Sequence, residues 1–272
     1  MKRKILYFTG TGNCLYIARQ LSDADTELLS IPQLVKNSMY DIEADEIGLV
    51  YPVYGHMPPA MVREYLSKVS LQAAYRFAVL TYGCRKCNAV EILRNYLDSI
   101  GKPFEYISTV MMVDNWLPNF DMDEQRKMDK HIPEQLAPIQ DDICNRRKWH
   151  QPVTDEERSI HEGFMKVSGL DPEKGWEMRS EQYFGPDDRC IKCGVCVGVC
   201  PRGNWSLGEE KAMTEGVCDF CFACIQNCPT KAIGFLPTAP NSMIAKGEVN
   251  REARYRNPNV SVADIKKSNN QH

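Results

Sequence analysis

The chain has 272 residues, which is enough for one ordinary domain and a smaller second one. Its formal net charge of −3 argues against a nucleic-acid-binding protein, which usually carries a basic face. The first apolar run ends at Phe8, too early for a signal peptide, and no stretch approaches the ~20 apolar residues of a membrane span. We therefore expect a cytoplasmic protein that has no transmembrane segment and does not bind nucleic acid.

The first predicted elements are a strand, a glycine-rich turn and a helix. Residues 4–8 form an apolar strand, and Leu15, Ile17, Ala18 and Leu21 then recur at helical spacing. The turn between them places backbone N–H groups at a helix N-terminus, which suits phosphate. Leu15 replaces the third glycine of a dinucleotide fingerprint, and the lysine of a Walker A loop is missing, so neither of those sites is predicted. The candidate phosphate-binding residues are Thr9, Gly10, Thr11, Gly12, Asn13 and Cys14.

Further strands and helices alternate along the first half of the chain. Strands are predicted at 46–51, 77–81 and 106–113, with helices near 59–68 and 89–99. This alternation indicates a doubly wound parallel sheet, in which ligands bind beyond the carboxyl ends of the strands. If the strand at 4–8 is counted as the first, the loops after the second and third strands are therefore candidate binding segments: Pro52, Val53, Tyr54, Gly55, Thr81, Tyr82 and Gly83. The two tyrosines either face a cofactor ring or pack in the core.

A charged segment follows this half. Residues 121–148 read as helix, and we expect interruptions at Pro133 and Pro138 because proline lacks the backbone donor.

Eight of the twelve cysteines form a duplicated pattern. Each half reads Cys-x2-Cys-x2-Cys-x3-Cys-Pro, and the second half lies 28 residues after the first. In a reducing compartment such clustering indicates metal rather than disulfides. With this spacing, three cysteines surround one [4Fe–4S] cluster and the fourth ligates the other cluster. The predicted ligand sets are Cys190, Cys193, Cys196 and Cys228 for one cluster, and Cys218, Cys221, Cys224 and Cys200 for the other. Zinc is the alternative, but it explains neither the regular third cysteine nor the Cys-Pro pairs.

Several segments resemble known families. Residues 183–236 resemble a bacterial dicluster ferredoxin, and Phe8–Asn13 resembles the phosphate loop of a flavodoxin, whose ligand is FMN. Together with Tyr51–Tyr54, Thr81–Gly83 and Arg254–Pro258, they make the whole chain resemble the flavodoxin–ferredoxin fusion proteins of anaerobic bacteria. The resemblance implies FMN in the first domain, two [4Fe–4S] clusters in the second, and electron passage between them.

Two features depart from that family. Cys14 stands where a serine or threonine would usually donate to the phosphate, and a thiol is a weaker donor. Cys84 and Cys87 form a Cys-x2-Cys pair in the third loop. This pair is a candidate dithiol–disulfide couple, or a metal site together with His56, but we favour two loop thiols without a role.

The predicted organisation is a flavodoxin-like α/β domain over residues 1–150, a linker over 151–182, a small α+β dicluster ferredoxin domain over 183–236 and a tail over 237–272. The predicted function is electron transfer, because a flavin exchanges one or two electrons and each cluster exchanges one. Redox proteins or a small-molecule electron acceptor are the expected partners. The alternatives are a flavin-dependent oxidoreductase of a small molecule and an iron–sulfur regulatory or sensor protein. We favour a carrier over an enzyme, and no catalytic acid, base or nucleophile is predicted.

Overall fold

A computed structural model describes residues 2–168 and 178–272. Within them the chain forms two compact units, and both units are discontinuous in sequence. The first unit comprises residues 2–8, 14–112 and 130–168, and the second comprises residues 9–13, 113–129 and 178–272. The predicted phosphate loop therefore groups with the C-terminal half of the chain. The predicted boundaries after residues 150, 182 and 236 stay predictions.

The elements are numbered in chain order. The strands are β1 (Arg3–Tyr7), β2 (Thr26–Ser30), β3 (Asp41–Glu43), β4 (Glu46–Pro52), β5 (Ser70–Gln72), β6 (Tyr75–Tyr82), β7 (Tyr106–Met111), β8 (Trp149–His150), β9 (Met178–Arg179), β10 (Phe184–Pro186), β11 (Trp205–Leu207), β12 (Ala212–Thr214), β13 (Val217–Cys218) and β14 (Ile233–Phe235). The helices are α1 (Asn13–Gln20), α2 (Ile31–Lys36), α3 (Ala60–Lys68), α4 (Ala89–Ser99), α5 (Met122–Lys127), α6 (Ile132–Cys144), α7 (Asp155–Ser168), α8 (Val195–Val199), α9 (Ala223–Asn227), α10 (Ser242–Ala245) and α11 (Val262–Asn269). None of these helices, in the described part of the chain, has the length and apolarity to cross a bilayer.

The first unit is built on a six-stranded sheet. Its strand order is β2-β1-β4-β6-β7-β8, and all neighbouring strands are parallel. β4 is buried along nearly its whole length, as expected for a central strand covered on both faces. When the strands of this sheet are counted in chain order, the arrangement is 2-1-3-4-5 followed by a sixth strand. That is the order of flavodoxin-like doubly wound sheets, so the predicted fold class is confirmed.

One buried carboxylate ties the start of this sheet to the end of α6. The side chain of Glu46 is buried and accepts hydrogen bonds from Arg3 Nε and Arg146 Nε, each at 2.8 Å. Burying a carboxylate is costly unless it is paired and hydrogen-bonded. The two guanidinium groups supply that pairing, and they fix the segment after α6 against the strand.

The charged segment forms two helices, and one of its predicted interruptions is wrong. α5 ends at Lys127 and α6 begins at Ile132, with Pro133 in the first turn, where proline is tolerated. Pro138 lies inside α6 and does not interrupt it. Because Pro138 has no backbone N–H, the carbonyl oxygen of Glu134 lacks its helical hydrogen bond. Glu134 and Pro138 are both exposed, so water can hydrogen-bond to that carbonyl. Burial of the opposite face of α6 holds the helix together.

The second unit contains short strands and helices around an aromatic core. Three two-stranded antiparallel sheets occur among its described residues, β10–β14, β11–β12 and β9–β13. Phe184, Phe220, Phe222 and Phe235 pack against one another with ring centroids 5.0 to 6.2 Å apart. Such offset and edge contacts add to the stabilisation from area burial alone. The predicted small α+β domain is confirmed.

Candidate iron–sulfur sites

The 28-residue repeat of the sequence is also a repeat of backbone conformation. α8 and α9 occupy equivalent positions in the two halves, as do β11 and β14. Three pairs of equivalent residues have left-handed backbone: Lys192 (φ 53°) and Phe220 (φ 55°), Gly194 (φ 70°) and Phe222 (φ 56°), and Gly203 (φ 69°) and Lys231 (φ 56°). A lysine or phenylalanine adopts this conformation only at a cost. The geometry of the loops therefore imposes the conformation, whichever residue type stands there.

Each half of the repeat encloses a cavity lined by four cysteines. The first cavity is lined by Cys190, Cys193, Cys196 and Cys228. The second is lined by Cys200, Cys218, Cys221 and Cys224. The structure thus brings together the same two sets of four that the spacing predicts. The fourth cysteine of each run lines the cavity of the other half.

The helix ends explain why the fourth cysteine crosses over. α8 ends before Cys200 and α9 ends before Cys228, and both cysteines have extended backbone, with ψ of 117° and 116°. Each is followed by a proline, Pro201 or Pro229, which disfavours helical conformation in the preceding residue. The chain therefore turns away at the cysteine, and its sulfur leaves the loop that carries the other three.

The zinc alternative calls for four ligands around one metal ion. Among residues 2–168 and 178–272, no group of three or more histidine, cysteine or acidic side chains is arranged to hold one metal ion. A zinc site would need four ligands at about 2.3 Å from one centre. In a [4Fe–4S] cluster each cysteine binds a different iron, so the sulfurs stand further apart around a cavity.

Burial keeps most of these thiols protonated while iron is absent. Burial raises the pKa of Cys196 to about 12. It also raises the pKa of four cysteines of the second cavity above the ordinary thiol value: Cys200, Cys218, Cys221 and Cys224. Because the thiolate is the metal ligand, cluster insertion must displace these protons.

The first cavity lies close to the protein surface. Two apolar side chains that line it are largely exposed, Ile191 at 64% and Leu207 at 50%. Cys193 is exposed as well. A cluster at this site is therefore the nearer of the two to solvent and to any molecule that docks there.

The second cavity is more enclosed and holds a buried charge pair. Asp219 has almost no exposure and accepts from Arg202 Nε at 2.5 Å. The backbone N–H groups of Asn204 and Phe220 each donate to a cysteine sulfur at 3.4 Å, to Cys200 Sγ and Cys218 Sγ respectively. Charges and sulfur hydrogen bonds of this kind set the potential of a cluster. The two sites are thus in different electrostatic environments.

The predicted phosphate loop, residues 9–13, is buried within the second unit. Asn13 Nδ2 donates to Val113 O at 3.2 Å, and Asn13 Oδ1 accepts from Tyr255 Oη at 2.7 Å and from Asn257 Nδ2 at 3.2 Å. Thr11 Oγ1 accepts from Asn115 Nδ2 at 3.2 Å. As arranged, the loop does not offer the side chains of Thr11 and Asn13 to a phosphate group, because both are paired within the chain.

Close packing accounts for both glycines of this loop. A Cβ atom on Gly10 would lie 2.4 Å from the carbonyl oxygen of Cys221, a residue that lines the second cavity. Gly12 has φ of 95°, and a Cβ there would lie 2.9 Å from Cβ of Val260. A side chain at either position would collide with protein atoms, so the glycines serve the packing of this unit. Sequence reasoning missed Tyr255, Asn257 and Val260 as neighbours, although the resemblance of the 254–258 segment to the fusion family was a signal.

The other two predicted loops lie together in the first unit. Tyr54 and Met57 exchange backbone hydrogen bonds at 2.9 and 3.0 Å across a turn whose central residues, Gly55 and His56, both have positive φ. This is the pattern of a type I′ turn. Val53 N donates to the carbonyl oxygen of Thr81 at 2.8 Å, which joins the loop after β4 to the end of β6. Tyr54 and Tyr82 are both half-buried.

Cys14 pairs with a residue of the third loop rather than standing open. Its Sγ lies 3.1 Å from Thr81 Oγ1, and burial raises the pKa of the thiol to about 12. Tyr51 is also fully buried, and its hydroxyl has no hydrogen-bond partner among the described residues. Cys14 is therefore a neutral thiol at physiological pH, with its hydrogen-bonding capacity used by Thr81.

The Cys84 and Cys87 pair has one exposed and one buried member, and no disulfide joins them. His56, the residue considered as a third ligand, instead has its Nδ1 3.1 Å from Nδ1 of His161 on α7. Phe164 packs against the His56 ring with centroids 4.7 Å apart. This arrangement gives the histidine a structural partner.

Comparison with known proteins identifies the C-terminal domain. Residues 183–229 match the 4Fe-4S dicluster domain family. The chain is 36% identical over 50 residues to a ferredoxin from Methanothermococcus thermolithotrophicus, a match that covers 17% of this chain and 83% of that ferredoxin. It is 34% identical over 55 residues to pyruvate synthase subunit PorD from Methanothermobacter marburgensis, which covers 20% of this chain and 65% of that subunit. The chain spans between 11% and 65% of the length of three curated relatives, PorD included.

Among solved structures, a flavoprotein from Lactobacillus acidophilus in complex with FMN has a TM-score of 0.30 and 15% identity, with 40% of this chain and 92% of that chain covered. This likeness is too weak to assign a ligand. The strand order of the first unit and the dicluster domain of the second together confirm the predicted flavodoxin–ferredoxin fusion. Through the dicluster domain, which carries two [4Fe–4S] clusters and transfers electrons, the chain belongs to the ferredoxin family.

Proposed function

We propose that the chain passes single electrons through two clusters held by Cys190, Cys193, Cys196 and Cys228 and by Cys200, Cys218, Cys221 and Cys224. The observation that carries this proposal is the pair of cavities, each lined by four cysteines that include one from the other half of the repeat. Because each half supplies ligands to both sites, the clusters are held in one rigid fold. Each cluster accepts and releases one electron, so two in series form a relay.

The first cluster is the one that meets an external partner in this proposal. Ile191 and Leu207 expose apolar surface at the edge of its cavity, and Met213, in the adjoining strand β12, is 58% exposed. An exposed apolar group of this kind marks an interaction site, because docking can exclude water there without burying charge. The partner that fits is a redox protein with its own one-electron centre. A small-molecule acceptor is the alternative, and both would be met in the reducing cytoplasm.

The finer part of the proposal is electron passage between FMN and the clusters. The flavodoxin-like strand order and the adjoining loops at 52–55 and 81–83 support a flavin site in the first domain. When bound, FMN supplies conversion between two-electron and one-electron chemistry. The arrangement of residues 9–13 does not favour its phosphate, so we derive no step through the flavin. The reductase and sensor alternatives stay predictions.

Anaerobic purification with analysis of iron, sulfide and flavin tests both levels of the proposal. We expect about eight iron and eight sulfide per chain, the content of two [4Fe–4S] clusters. Stoichiometric zinc in place of iron would overturn the electron-transfer function. Full clusters with one FMN that reoxidises as the clusters are reduced would support the finer route. Full clusters without flavin would remove that route and leave the relay intact.

A further inference from the structure

Residues 254–269, here called the strap, run along the predicted phosphate loop inside the second unit. The strap is anchored at its start by Arg254, whose guanidinium donates to the carbonyl oxygens of Ile225 and Ile233 at 3.1 and 3.3 Å. Tyr255 N donates to Gln226 Oε1 at 2.7 Å. These bonds fix the strap to α9 and β14 before it reaches the loop.

Three residues of the strap hydrogen-bond to three residues of the loop, all through their side chains and Asn257 also through its backbone N–H. Tyr255 Oη donates to Asn13 Oδ1, as described above. Asn257 N donates to Thr11 O at 2.9 Å, and Asn269 Nδ2 donates to Thr9 O at 2.9 Å. Tyr255, Asn257 and Asn269 are all at most 3% exposed. The contact is therefore a buried polar interface and not a loose surface association.

The strap is locally pre-organised for this contact. Asn257 Oδ1 accepts from Asn259 N at 3.0 Å, and Val260 N donates to Asn257 O at 3.0 Å, which together form a tight turn. Helix α11 then begins at a capping box in which Ser261 and Asp264 satisfy each other's backbone N–H groups. Because these bonds lie within the strap, little further conformational entropy is lost when it covers the loop.

We propose that the strap is an intrachain ligand of the 9–13 loop, and that strap and flavin phosphate exclude each other there. This inference rests on the proposed flavin route. A phosphate accepts hydrogen bonds, so the loop must offer donors to bind it. Asn13 now presents its carbonyl oxygen to Tyr255 and Asn257 and its amide nitrogen to Val113. Turning that amide toward a phosphate breaks its bonds to the strap, so only one of the two ligands can be held.

The inference is tested by binding two flavins that differ only in the phosphate. FMN and riboflavin are titrated into the full, cluster-loaded, flavin-free chain, and binding is followed by quenching of flavin fluorescence. The variants are Tyr255→Phe, which loses one hydroxyl and keeps the ring, and Asn257→Ala. The control is Lys267→Ala, at an exposed position of α11. A net hydrogen bond is worth about a fivefold change in an equilibrium. We expect each strap variant to bind FMN about fivefold more tightly, with riboflavin affinity and the control unchanged.

Two results would overturn the proposal that the strap and the flavin phosphate exclude each other. If FMN and riboflavin tighten equally, the effect does not involve the phosphate, and if FMN binds more weakly, Tyr255 and Asn257 belong to the flavin site. Either result leaves the flavin route standing. If no chain binds either flavin, the flavin route fails. Competition between the strap and phosphate for the loop is then tested by amide hydrogen exchange, with inorganic phosphate as the probe.

Under the proposal, phosphate raises amide exchange in residues 255–260, and the rise is larger in Tyr255→Phe than in the wild type. Unchanged exchange in both chains would mean that the strap is a permanent part of the fold.

Discussion

Cys228 lines the cavity formed by the first half of the cysteine repeat, and Cys200 lines the cavity formed by the second half. The two residues stand at equivalent positions, each just after a short helix and just before a proline. This exchange of ligands makes each cavity the joint product of two segments of chain. It also makes the assignment of ligands to sites open to a direct genetic test.

Replacing Cys228 with alanine is expected to remove one cluster and keep the other. Iron content should fall from about eight to about four per chain, because a cluster normally needs all four thiolates. Cys200→Ala should give the same content. Cys144→Ser, at an exposed cysteine that ends α6, should keep the full content.

Double variants test whether Cys200 and Cys228 each ligate the cluster of the other half. Two substitutions at the same cluster should lose no more iron than one, whereas substitutions at different clusters should add. Adding Cys190→Ala to Cys228→Ala should cost no further iron, whereas adding Cys218→Ala should remove nearly all of it. The opposite pattern would mean that each run of four cysteines holds its own cluster.

Asp219→Asn is expected to raise the reduction potential of one cluster. Reduction adds a negative charge, and Asp219 places a buried carboxylate beside the second cavity. Removing that charge while Arg202 remains stabilises the reduced cluster. A redox titration followed by electron paramagnetic resonance should show one potential moved upward and the other unchanged. Asp188→Asn, at an exposed carboxylate paired with Lys211, is the control. Equal shifts of both potentials would contradict the assignment of Asp219 to one site.

The contact between His56 and His161 is expected to weaken in acid. Burial, with a smaller effect from His161 and Arg85, lowers the pKa of His56 to about 4 from an ordinary value of 6.5. Because the folded state disfavours the charged ring, its contribution to stability is complete above pH 6.5 and is lost as the pH falls towards 4. The loss is at most about 1.4 kcal/mol per pH unit. The protection factors of the α7 amides, which are exchange rates corrected for the pH dependence of intrinsic exchange, should therefore fall between pH 7 and 5. In His56→Asn, which removes the titrating ring, that dependence should flatten, and an unchanged slope would rule out His56 as its cause.

The cysteines outside the repeat should differ sharply in reactivity. At pH 8 we expect iodoacetamide to label Cys84 and Cys144, which are exposed, and to leave Cys14 and Cys87 unmodified. Burial raises the pKa of Cys14 to about 12 and also raises the pKa of Cys87, so little thiolate is present at either. Peptide mass spectrometry gives the labelling rates, and Cys14 reacting as fast as Cys144 would contradict the structure. Loss of the Cys84 label after mild oxidation would instead support a disulfide couple with Cys87.

Local sequence signals predicted the parts of the structure that depend on local chemistry. The spacing of the cysteines and the prolines after Cys200 and Cys228 is enough to predict both sets of four. The central strands and α3 and α4 were predicted within a few residues, because apolar periodicity decides them. The two-residue strand β8 was missed, since a segment that short has no period to detect.

The partners of the glycine-rich loop lay beyond such reasoning. Tyr255 and Asn257 bond to Asn13 across 242 and 244 residues of sequence, and no local pattern carries that information. The pattern of the loop is also ambiguous in itself. Glycine permits close approach of a phosphate, but equally of a carbonyl such as that of Cys221. Only the surrounding structure shows which of the two the loop meets.

The exchange of Cys200 and Cys228 has a consequence for how the protein matures in a cell. Insertion of either cluster fixes the end of a helix that also carries a ligand of the other, Cys196 on α8 or Cys224 on α9. The cysteines of the second site are therefore already partly ordered when its cluster is inserted, so less conformational entropy is lost. Iron loading becomes cooperative, and half-loaded molecules should be scarce. When iron is limiting, a population of these chains divides into molecules with both clusters and molecules with none. Iron supply then sets how many molecules can transfer electrons, while each loaded molecule still carries both clusters.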